Sequence, residues 1–70
     1  MEEMTVINIE GMSCEHCEKA VSQALQSLPG VTVLEVSHTR KCAVVRYDAE
    51  QASLDAMKRA IEEEGYDPTD

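Results

Sequence analysis

Two segments of this chain repeat apolar residues at three- and four-residue steps, and runs of β-branched residues flank each one. That alternation constrains the fold more than any other feature. The run Thr5-Val6-Ile7-Asn8-Ile9-Glu10 suits a first strand that stops at Gly11. From Glu15 to Leu28, the residues Cys17, Ala20, Val21, Ala24, Leu25 and Leu28 fall on one side of an amphipathic helix, which Pro29-Gly30 ends. Val31 to Ser37 and Cys42 to Asp48 are again strand-like, and the polar turn His38-Thr39-Arg40-Lys41 between them predicts a hairpin. Ser53 is placed to cap a second helix with Leu54, Met57, Ala60 and Ile61 inward and Gly65 at its close. The remainder, Tyr66 to Asp70, is short and contains Pro68, so a fourth strand is expected only as an abbreviated edge strand.

Strand, helix, strand, strand, helix, strand is the split βαβ order of an α+β fold. It predicts a ferredoxin-like βαββαβ sandwich, with an antiparallel sheet carrying two helices on one face. With 70 residues there is length for one domain, residues 1–70, and little volume to enclose an organic cofactor, so function is expected at a surface site. Right-handed crossovers would gather three connections at one end: Gly11 to His16, His38 to Lys41, and Gly65-Tyr66.

Charge and aromatic content remove several functions. A net charge of -8 opposes nucleic acid and anionic membranes, and with only Tyr47 and Tyr66 as aromatics there is almost nothing for bases to stack on. The acidic surface instead suits a partner with a basic docking patch, with association that slows in salt. No apolar run is long enough for membrane insertion, and the acidic start Met1-Glu2-Glu3-Met4 is unlike a signal peptide, so a cytoplasmic protein is expected. Three cysteines cannot all pair within one molecule, and in a reducing compartment they read as ligands or reactive groups.

The chemistry lies in Gly11-Met12-Ser13-Cys14-Glu15-His16-Cys17. Two cysteines two residues apart, where a loop enters a helix, can turn both sulfurs to one point, and the free N–H groups of the helix start favour thiolate, most of all at Cys17. Soft thiolates select Cu(I), Zn(II) or similar ions over calcium and magnesium. A closed zinc site needs four ligands and no second CxxC is present, whereas Cu(I) accepts two sulfurs and stays open to a third thiolate from another protein.

That motif, together with Gly65-Tyr66-Asp67 after the second helix, resembles the heavy-metal-associated domain family over nearly the whole chain, and within it the bacterial copper chaperones. The resemblance implies that Cys14 and Cys17 hold Cu(I), that Met12 is a buried support for the loop, and that Tyr66 lies beside the metal. Zinc and cadmium members often carry Asp before the first cysteine, where this chain has Ser13. The implied role is a chaperone and not an enzyme. It would pass copper by thiolate exchange to the metal-binding domains of a copper-transporting P-type ATPase, or to a copper-responsive repressor. An excised domain of such an ATPase would carry the same motif, although Met1 favours a free protein. A thiol oxidoreductase is the rival of another class, but the aromatic and Pro neighbours of a thioredoxin-like motif are missing.

Four other residues bear on the site. His16 is expected to point into solvent, and Lys19, half a turn past Cys17, is the cation best placed to offset a negative bis-thiolate centre. Cys42 is expected on the outer sheet face with Val44 and Arg46 as an unengaged thiol. A sharper expectation gives Cys42, with His38, an extra-ligand role in a metal-bridged homodimer of two copper-loaded molecules.

Overall fold

The computed structural model describes residues 2–69. It contains β1 (Glu2–Glu10), α1 (Glu15–Gln26), β2 (Val31–Ser37), β3 (Cys42–Asp48), α2 (Leu54–Glu63) and β4 (Asp67–Pro68). The sheet order is β2-β3-β1-β4 with every neighbour antiparallel, which is the predicted ferredoxin-like sandwich.

Local chemistry explains most of the element ends. Ser53 caps α2 by accepting a hydrogen bond from the Ala56 amide at 3.1 Å. Gly65, at φ 93°, turns the chain out of that helix. The first helix stops at Gln26, short of the expected Leu28, because the residue before a proline disfavours helical backbone; Leu28 still packs on the core. The first strand begins at Glu2 instead of Thr5, since pairing from Glu2↔Asp48 to Asn8↔Cys42 gives the early residues a ladder that their own propensity would not. The fourth strand is as abbreviated as expected, with only Ile9↔Pro68 and Glu10↔Asp67.

Between the sheet and the helices lies an aliphatic core of Ile7, Ile9, Val21, Leu25, Ala43, Val45, Met57 and Ile61, joined by Met12 from the loop. No charged or polar side chain is buried among the described residues. The alternation places Ala43 and Val45 inward and leaves Cys42, Val44 and Arg46 on the outer face.

The three connections do meet at one end. Lys41 in the hairpin turn accepts a hydrogen bond from the Ile9 amide at 2.8 Å, which ties the turn to the end of β1. Gly11 stands beside Tyr66, close enough that a β-carbon there would lie 3.6 Å from the ring.

Candidate metal centre

Gly11 leaves β1 with φ 100°, a backbone state that side-chain-bearing residues rarely adopt, and this turns the loop inward so that Met12 enters the core at 6% exposure. The chain emerges again at Ser13 and Cys14. Cys14 is the N-cap of α1 in extended conformation, and its carbonyl accepts from the amides of Cys17 at 3.1 Å and Glu18 at 3.3 Å. Its side chain makes no capping bond and is exposed, so the sulfur is free to swing.

Cys17, one turn into the helix, is held differently. It is half-buried against the core, its Sγ lies 3.9 Å from the Cys14 Sγ and 3.9 Å from the Ser13 Oγ, and the Tyr66 hydroxyl donates to it. The Ser13 backbone, then that hydroxyl, stabilise the thiolate against the penalty for burial and lower the Cys17 pKa from 9.0 to about 6. The same bond pushes the Tyr66 phenol upward, because donating to a thiolate makes its proton harder to lose. The sequence points to Cys17 as the more acidic thiol through the helix start; the structure adds the Ser13 loop and Tyr66 as the groups that act on it.

The other singled-out residues are spread more widely. His16 is exposed, and with Lys19, Ala20 and Gln23 it lines a shallow groove on the solvent side of α1. Cys42 is half-buried on the outer sheet face, in register with Asn8 and Ser37. His38 turns the opposite way, toward α1, where its backbone N–H donates to Glu18 Oε2 at 2.7 Å and its Nδ1 meets the same oxygen. Within one molecule His38 thus binds Glu18 on the helix side, while Cys42 lies on the outer face of the sheet. Among the described residues no group of three or more His, Cys, Asp and Glu side chains converges as a metal cage. Glu18 is the residue that sequence reasoning misses: these bonds to His38 lower its carboxyl pKa, but across 20 positions no spacing signals the contact.

A βαββαβ domain with two free thiols, one exposed and one half-buried, where its first loop enters a helix belongs to the class of small open-site thiolate domains. Residues 6–67 match the model of the heavy-metal-associated domain, and the chain belongs to that family. It is 52% identical over 62 residues to a "Copper chaperone CopZ" of Staphylococcus haemolyticus, covering 89% of this chain and 91% of that protein. Among solved structures it superimposes on a "CopZ metallochaperone" with TM-score 0.91 and 40% identity, over 96% of this chain and 100% of the other. The Cu(I)-loaded N-terminal domain of a potential copper-translocating P-type ATPase from Bacillus subtilis is also similar, at TM-score 0.88 and 30% identity over 96% and 84% of the two chains.

Proposed function

We propose that this protein is a cytoplasmic copper chaperone that carries Cu(I) between Cys14 and Cys17 and releases it to a partner's thiolates, without catalysis. The observation that carries the reading is the unequal pair of sulfurs 3.9 Å apart, one half-buried with its pKa lowered to about 6 and the other exposed and unbonded to the cap. Among solved structures the "CopZ metallochaperone", at 40% identity, stands nearer than the ATPase domain at 30%, which favours the free carrier over a domain of the pump.

The spacing fits exchange. With a metal–thiolate bond of about 2.3 Å, the value for zinc, sulfurs 3.9 Å apart subtend about 115° at the ion. A linear two-sulfur site would need them about 4.6 Å apart. The reduced pair therefore rests near the angle of a three-coordinate centre, and Cys14 must swing outward to complete a linear one. A third thiolate entering on the exposed side would let Cys14 relax back as the metal leaves.

Partners follow from charge and from the shared motif. Near the cysteines, Glu15 opens α1 and Glu62, Glu63 and Glu64 close α2, which gives this end of the domain a share of the net charge of -8. A basic partner bearing its own CxxC fits that face, such as the metal-binding domains of a copper-transporting P-type ATPase or a copper-responsive repressor. No helix among the described residues is long and apolar enough to cross a membrane.

The test is a Cu(I) titration of the fully reduced protein against a competing chelator, alongside Cys14→Ala and Cys17→Ala. Wild type should take up one equivalent tightly and each variant should lose it. Uptake that survives removal of both sulfurs would refute the reading.

A further inference from the structure

Strand order places β2 and β4 at opposite edges of the sheet; α1 packs on β2, and from the β4 side it is reached through Tyr66, just ahead of that strand. From the β4 side, Tyr66 donates to Cys17. From the β2 side, His38 follows the strand into the hairpin turn and binds Glu18, the residue immediately after Cys17, through its backbone N–H at 2.7 Å and through Nδ1. A carboxylate oxygen can only accept, so Nδ1 carries the proton in this contact. Successive helical residues are rotated by about 100°, so Glu18 projects along the flank of α1 while Cys17 faces the core and Tyr66. Both partners are half-buried, with 26% of the Glu18 side chain and 29% of the His38 side chain exposed, unlike the open ion pairs elsewhere on the sheet. Cys14, by contrast, is exposed, and its sulfur meets that of Cys17 at 3.9 Å without capping the helix.

We infer that Glu18 is a positioning residue for metal exchange: clamped by His38, it braces the first turn of α1 against the edge opposite Tyr66, so that Cys17 is fixed while Cys14 moves. This rests on the copper-carrier reading above. With the brace gone, the first turn can rock about its axis, and the Cys17 sulfur no longer keeps one distance from the Tyr66 hydroxyl and from the Cys14 side chain. Neither Glu18 nor His38 needs to touch the metal.

The test compares Cu(I) affinity, by chelator competition, with unfolding midpoint for five proteins. Glu18→Ala removes the acceptor and should weaken binding by about tenfold, the low end for outer-shell partners of a metal site. Glu18→Gln keeps a carbonyl acceptor without the charge, and His38→Asn keeps a side-chain donor near Nδ1 together with the backbone N–H. Both should stay near wild type. Ser53→Ala, which removes the α2 cap, controls for stability alone and should unfold more easily with unchanged affinity. Wild-type affinity in Glu18→Ala would overturn the positioning role, as would equal weakening in Ser53→Ala or failure of both conservative variants to rescue. Wild type that takes up no Cu(I) would overturn the carrier reading and this inference with it.

Discussion

Replacing Tyr66 by Phe removes one hydroxyl and leaves the ring that packs beside Gly11, so its effect isolates the bond to Cys17. With Cys17 at about 6, the thiol is about nine-tenths ionised at ~pH 7, whereas one at its ordinary 9.0 would be about one-hundredth ionised. Thiolates of lower pKa are intrinsically weaker nucleophiles, by a Brønsted coefficient of about 0.4–0.5, which returns about 16- to 32-fold of that advantage. The net gain in alkylation rate at ~pH 7 is then only about three- to sixfold, so a single rate measurement is a poor test. The shape of the pH profile discriminates. In a Cys14→Ser, Cys42→Ser background, alkylation at Cys17 should level off about one unit above its midpoint near 6, while an ordinary thiol would still be gaining about tenfold per unit.

In Tyr66→Phe the midpoint should rise but stop short of 9.0, because the Ser13 backbone contribution, the largest, survives. Stability must move with it. The folded-state pKa is depressed, so between about 6 and 9.0 the unfolded chain binds a proton that the native one does not, and stability rises with pH. That contribution is complete above the unfolded thiol's pKa and is lost as pH falls through about 6. Tyr66→Phe should flatten this rise in a series of denaturant midpoints. A wild-type midpoint near 9.0, or an identical profile in the Phe variant, would refute the account of how Cys17 is activated.

Ile61→Ala should cost about 2–5 kcal/mol, a large part of a small domain's stability, because Ile61 is fully buried between α2 and the sheet; urea denaturation checks it. Gly11→Ala should cost about 1–3 kcal/mol through backbone strain at φ 100°, since the added β-carbon makes only ordinary 3.6 Å contact with Tyr66. The check is the unfolding midpoint together with Cu(I) affinity, both of which should fall.

The hydrophobic periods were enough to read the first five elements, because a domain with an aliphatic core must show its inward faces as apolar repeats, whereas β4 has no such repeat and followed only as a short edge strand after the second helix. Topology then placed the cysteine loop, the hairpin turn and the Gly65 turn together, and Tyr66 was legible as a neighbour of the pair. What could not be read is which way a turn residue points. His38 follows β2 by one position, and one position decides between the outer face, where Cys42 lies, and the helix side, where Glu18 lies. The acidity of Cys17 shows the same limit. A helix start is visible in sequence, but the amide geometry of Ser13 follows from a loop conformation that Gly11 permits and Met12 anchors.

In the proposed copper carrier, the same loop accounts for a site that holds the ion and still releases it. A carrier needs affinity, which calls for fixed, ionised sulfurs, and release, which calls for a ligand that can leave without disturbing the fold. Two equivalent cysteines would satisfy one demand at the expense of the other. Here Met12 fastens the loop to the core on one side of the pair, and Cys17 rides on a braced helix turn on the other. Cys14 lies between them as an N-cap whose backbone serves the helix while its side chain does not. Swinging the Cys14 sulfur by the roughly 0.7 Å that separates 3.9 Å from a linear span of about 4.6 Å therefore breaks no capping bond. The movement that this exchange requires is confined to one exposed side chain, and the structural work of the helix start is left to backbone atoms.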